Sequence, residues 1–142
     1  MPTPAPAAVI DVLNGLLEAE LSSVFRFMDE STPHVSRATA EVRRPLQEMI
    51  ETNRRHCAQL AQLIEALGGY PVPRSIRPDE QYLAYLSLKF LLPKLANEKR
   101  LTIQRHENAL KSLGKGAPPE VAGLLRGHIA EHQRDAEVLD RA

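Results

Sequence analysis

A chain of 142 residues with 18 Lys+Arg against 18 Asp+Glu has no formal net charge, which argues against nucleic acid or an acidic membrane surface as its main partner. The single cysteine, Cys57, excludes an intramolecular disulfide and makes a reducing cytoplasm the expected compartment; no apolar run approaches ~18 residues, so no membrane span is expected. The length suits one domain over 1–142, and abundant Leu and Ala with only 4% aromatic residues favour an all-α fold.

A Pro-rich leader, Met1–Pro6, precedes the first helical pattern, which runs to about Met28. Leu13, Leu16, Leu17, Val24 and Phe27 form its apolar stripe; Glu20 lies inside that stripe and Glu18 outside it. Asp29–Pro33 reads as a loop, His34 beyond it also reads as loop, and Ser36 or Thr39 can cap the next helix. Pro45 either begins that helix or kinks an earlier turn. From Leu46 to Gly69 the residues Leu46, Met49, Ile50, Leu60, Leu63, Ile64 and Leu67 define one face, and Asn53 and His56 stand on it where Leu or Val would be expected. Gly68 and Gly69 end the helix as a left-handed C-cap requires. After a link with three prolines, Gly69–Pro78, helical periodicity runs from about Asp79 to Leu113 through Pro93. Its inner face reads Tyr82, Leu86, Leu91, Leu95, Leu101 and Thr102 with Glu98 among them, and His106 falls at the edge. Gly114–Pro119 is a turn. The last helix, Val121–Arg141, has the stripe Val121, Leu124, Leu125, His128, His132, Asp135, Leu139.

Four amphipathic helices with short outer links predict a four-helix bundle. Each helix places a polar or ionisable group inside its stripe: Glu20; Asn53 and His56; Glu98; His128, His132 and Asp135. Unpaired burial of each would cost several kcal/mol, so the groups are expected to converge and neutralise one another or a cation.

Over its whole length the chain resembles the ferritin-like superfamily of bacterioferritins and rubrerythrins. Those bundles hold two irons with a Glu from each of two helices and a Glu-x-x-His from each of the others. Glu20 in LLEAELSSVFRF resembles the first glutamate, and Glu98 in ANEKRLTIQRH the third-helix one. Asn53 and His56 in TNRRHCAQL resemble one Glu-x-x-His with Asn replacing Glu, and His132 with Asp135 in AEHQRDAEVL the other, as His-x-x-Asp. The resemblance implies a metal set of Glu20, Asn53, His56, Glu98, His132 and Asp135. Both bridging glutamates are replaced, and an imidazole offers one lone pair to one metal while an amide is a weak bridge, so a coupled di-iron centre is not expected. What remains suits a mononuclear two-His, carboxylate site for Fe, Zn or Mn.

Two functions follow: a metal-binding protein of metal or oxidative-stress handling, or a non-catalytic module for self-association or partner binding whose site is a relic without metal. The resemblance implies homo-oligomers, dimers included. No residue pattern names a reaction. The resemblance also implies that helices 2 and 3 run parallel, with a long crossover between them. If helix 3 began at Asp79 the connection would need about 47 Å, whereas ten residues reach at most ~36 Å. A start near Ala84 is therefore expected, with Asp79–Leu83 in the crossover and Pro93 bending the helix.

Other motifs carry less. His128-Ile-Ala-Glu131-His132 matches the inverted zinc-protease string, but Glu131 points off the stripe and few residues follow it. A hemerythrin-like set would need more core histidines than His128 and His132. Cys57 reads as a small core residue rather than a nucleophile. Lys99, Arg100 and Arg105 read as a solvated basic strip.

Overall fold

Residues 6–26, 40–73 and 88–141 are described by the computed structural model of the chain. Among them are four long helices: α1 (Pro6–Leu21), α2 (Ala40–Ala66), α3 (Leu88–Leu113) and α4 (Pro119–Arg141). Their apolar residues gather into two clusters, and the membership of each cluster gives the direction of every helix. One contains Val9, Leu13, Leu16 and Leu17 of α1, Leu60 and Ile64 of α2, Ala109 and Leu113 of α3, and Val121 and Leu125 of α4. The other joins Val24 and Phe25, Leu46 and Met49, Leu95 and Ala96, and Leu139. Helices α1 and α4 thus run one way and α2 and α3 the other. With α2 and α3 parallel, the described residues 67–73 turn the chain back from the end of α2.

That return begins against α1. Gly68, at φ 86°, takes the left-handed turn that ends α2, with Gly69 N donating to Ile64 O at 2.9 Å and Gly68 N to Glu65 O at 3.0 Å. Gly69 then lies so close to Ile10 that a Cβ there would stand 2.8 Å from its side chain. Farther along α1, Asn14 Nδ2 donates to Tyr70 O at 3.2 Å and Asn14 Oδ1 accepts from Val72 N at 2.8 Å. The expected start of helix 3 near Ala84, the Asp79–Leu83 segment, His34 and the caps Ser36 and Thr39 lie outside the described residues.

One helix end differs from the sequence expectation, and Pro45 takes the second of its two expected places, inside a helix that begins before it. Helix α1 stops at Leu21 rather than near Met28, and residues 24–26 resume helical conformation after a break at Ser22 and Ser23. Ser23 makes the break: its hydroxyl accepts from Phe25 N at 3.2 Å, the local bond by which serine competes with the helix ladder. Helix α2 begins at Ala40 and carries Pro45 inside it, and α3 likewise continues through Pro93. In both the chain passes the proline at the loss of one backbone hydrogen bond.

The inner face of α3 also needs correction. Beside Ala96, its buried positions are Leu95, Lys99, Thr102, His106, Ala109 and Leu113, which recur at alternating spacings of four and three, whereas Leu101 is 42% exposed. Lys99 is therefore no part of a solvated strip, being 2% exposed, and His106 is central at 1% rather than at the edge. Each helix shows the same order along its axis, apolar, then polar, then apolar. The polar slice between the two clusters holds Glu20, Asn53, His56, Lys99, Thr102, His106, His128 and His132, all buried.

Candidate metal centre

Glu20, His56 and His132 meet in that slice, each offering one ligand atom, with those atoms within 4.8 Å of one another and all three residues buried. The end of α1 positions the carboxylate. Because the helix tightens there, with Ser23 N bonding Glu20 O at 3.2 Å, the Glu20 carbonyl has room for a second donor. Asn53 of α2 supplies it: Nδ2 donates to Glu20 O at 3.0 Å and to Glu20 Oε2 at 2.9 Å. One amide thus holds both the backbone and the carboxylate of the acid.

The other carboxylate oxygen, Oε1, lies 3.2 Å from His132 Nε2, and His132 Nδ1 lies 3.1 Å from Lys99 Nζ. An ammonium can only donate and a carboxylate only accept, so Nδ1 is the acceptor and Nε2 carries the proton. The Lys99 ammonium also stands 3.0 Å from Asp135 Oδ2 and 4.4 Å above the Phe25 ring, a cation held by an acid and a π face.

The three remaining buried histidines are each held by one nitrogen. His56 Nε2 donates to Glu131 Oε1 at 3.3 Å, and Glu131 in turn pairs with the half-exposed Arg55 at the rim. His106 Nδ1 donates to Thr102 O at 2.8 Å, and His128 Nε2 to Gln59 Oε1 at 2.9 Å. The opposite atoms, His56 Nδ1, His106 Nε2 and His128 Nδ1, are buried without a hydrogen-bond partner among the described residues. A buried acceptor left in this state costs about 1–3 kcal/mol, so three together call for a ligand or a function. A histidine that donates one N–H to a carboxylate, carbonyl or amide oxygen and keeps the other nitrogen bare has the arrangement of a metal ligand with its outer partner in place.

Electrostatics agree with neutral rings around an ionised acid. Burial alone would push the Glu20 carboxyl up; the His132 hydrogen bond and the field of the surrounding His132, His56 and Lys99 outweigh it and hold the carboxyl well below the usual range. Burial pushes His56 down to about 3 against the pull of Glu20, and His128 down to about 3 with His56 and His106 adding to the effect. His106 is lowered by burial too. The Cys57 thiol, raised by burial and by Glu20 to about 12, is no nucleophile.

Of the six residues expected at a metal, three therefore converge. Asn53 touches the site by clamping Glu20, and Asp135 by its ion pair with Lys99. Glu98 is half-buried, its carbonyl accepting from Thr102 Oγ1 at 2.9 Å, and it is not among the three. Lys99, His106 and Glu131 also stand at the site, outside the six residues expected there. The phase of α3 would have found the first two: Leu95 plus four, seven and eleven residues gives Lys99, Thr102 and His106 on one face. Glu131, next to His132 and thus off the stripe, reaches the site only because its side chain lies along the surface to His56.

The parallel α2–α3 pair and the polar slice crossing all four helices define the ferritin-like fold. No protein-family model and no curated protein sequence matches the chain. The likeness is structural: the chain is similar to a solved structure described as a dodecameric thioferritin in the bacterial domain, the bacterioferritin-related protein from Bacteroides fragilis, with TM-score 0.78 and 19% identity over 98% of this chain and 86% of that one. No helix among the described residues is long and apolar enough to cross a membrane.

Proposed function

We propose that this chain is a ferritin-like metal-binding protein that takes one iron, zinc or manganese ion on Glu20, His56 and His132, in metal or oxidative-stress handling. The convergence of these three buried donors within 4.8 Å carries the reading. The donor set fits one ion and does not fit a carboxylate-bridged pair, since Glu20 is the only carboxylate of the group. A bound ion supplies Lewis acidity, and redox chemistry if it is iron. Asn53 presents Glu20 in a fixed rotamer and Glu131 orients the His56 ring. His132 would hold an ion only after losing the hydrogen that its Nε2 directs toward Glu20, so uptake of the ion would release a proton to solvent. The fold likeness to a dodecameric protein supports self-association of this chain as well.

One observation favours a second reading, a module whose site is a relic. The Lys99 ammonium already stands in the slice as a cation, and both Glu20 oxygens have protein partners. His56→Leu separates the two. If the ion is bound, the variant loses metal and unfolds at a temperature lower by several degrees, because binding to the folded chain is folding free energy. Metal content unchanged, with stability raised by removal of an orphaned buried nitrogen, would favour the relic.

A further inference from the structure

The four buried imidazoles form a closed circuit of ring contacts. His56 stacks on His128 with centres 3.6 Å apart and planes 13° from parallel; His128 meets His106 at 5.7 Å; His106 meets His132 at 5.7 Å; His132 meets His56 edge-on at 4.8 Å. Three helices contribute, and α4 gives two of the rings, one turn apart. Rings sharing one tetrahedral ion hold their centres about 5 Å apart when the metal–nitrogen bonds are ~2.0–2.1 Å. Three sides of the circuit already have that scale. Only the His56–His128 stack is too tight for sharing.

We infer that the ion is held by a nitrogen-rich shell in which His106 Nε2 and His128 Nδ1 join His56 and His132, with Glu20 as the one anionic ligand or its close neighbour. The inference rests on the proposed metal reading and extends it to two residues outside the group of three. The orphaned nitrogens carry it. His56, His106 and His128 each present a bare, buried ring nitrogen in one circuit, with the other nitrogen already committed as a donor. A relic leaves these three bare nitrogens without a role at a cost in stability, whereas one shared ion gives each of them a partner. Binding requires the His56–His128 stack to open by ~1–2 Å, so that both rings turn their edges to one centre.

Neutral imidazoles select for borderline ions, zinc, iron(II), cobalt or copper, over magnesium and calcium, and rank manganese below iron and zinc. Zinc is the probe of choice because it has no redox chemistry and a definite Zn–N distance. X-ray absorption on the zinc-loaded wild-type chain counts the imidazoles by their multiple-scattering signal, and zinc titrations compare wild type with His106→Gln and His128→Gln. The expected result is four imidazoles per zinc in the wild type, with affinity lowered at least ~10-fold and one imidazole lost in each variant. Two imidazoles per zinc, or affinities unchanged in both variants, would overturn the inference and leave the Glu20–His56–His132 reading standing. A wild-type chain that takes up no zinc, iron or manganese would overturn both. The wild-type count needs no variant, so misfolding of either substitution does not spare the inference.

Discussion

At the scale of residues, the site is an acid held in place by an amide and surrounded by uncharged rings. Asn53 stood in the sequence as a defective ligand, an amide where a bridging carboxylate was expected; in the fold it donates to both the carbonyl and the carboxylate of Glu20. Asn53→Leu should therefore cost about 2–3 kcal/mol, as removal of hydrogen bonds to a buried charged group does, and should weaken metal binding ~10- to 100-fold by releasing the ligand. Urea unfolding with a metal titration checks both; unchanged affinity in a folded variant would show that Glu20 needs no clamp. The histidines set the pH response of the metal-free chain. Burial holds His56 and His128 down to about 3 in the fold, whereas in the unfolded chain they return to the ordinary 6.5. Between those values the unfolded chain binds more protons, so stability is greatest above about pH 6.5 and falls as the pH is lowered towards 3. Glu20, depressed in the fold, adds loss of the same sign as the pH falls below its ordinary value of 4.5. Chelator-treated protein should melt at progressively lower temperature from pH 7 to pH 5, and a flat profile would mean that these rings are protonated in the fold. Glu20, His56 and His132 were legible because each interrupts an apolar stripe. Lys99 was not, because a lysine in a stripe is read as solvent-facing by its type, whereas its burial follows from the phase of its helix and from Asp135 and His132 beside it.

At the scale of elements, the C-cap of α2 was legible and the end of α1 was not. Two consecutive glycines after an amphipathic run leave few alternatives to a left-handed cap, and Gly68 takes it. The break at Ser22–Ser23 keeps Val24 buried in the core, so the hydrophobic pattern gives no sign that the helix has stopped. The same break opens the Glu20 carbonyl to Asn53, which makes a local irregularity part of the site. The Gly69 contact yields a prediction of its own. In Gly69→Ala the new Cβ would meet Ile10 at 2.8 Å, closer than unrelaxed packing permits, and the variant should lose about 1–3 kcal/mol. Trimming the neighbour in Gly69→Ala/Ile10→Ala should remove much of the coupling between the two positions. A double-mutant cycle by urea denaturation measures it, and additive losses would show that the return strand does not lie on α1 as described.

At the scale of the whole molecule, the parallel course of α2 and α3 is what brings the polar positions of four helices to one level. Helical periodicity alone cannot distinguish this arrangement from a simple up-down bundle; the reach of the link between α2 and α3 bears on it, and the two apolar clusters give the directions of the helices. Register along the bundle was less legible than topology, because two adjacent residues, Glu98 and Lys99, differ by about 100° around the helix and the sequence favoured the one with the ligand's chemistry. Apolar layers on both sides of the polar slice keep the site from bulk water, which raises both the cost of leaving it unpaired and the gain from filling it. The central claim is a single ion per chain at that level. The most direct test is elemental analysis of protein purified without chelator, with the metal expressed per chain. About one equivalent of iron, zinc or manganese is expected, lost in Glu20→Gln; two equivalents, or none in both proteins, would rule out a single ion per chain.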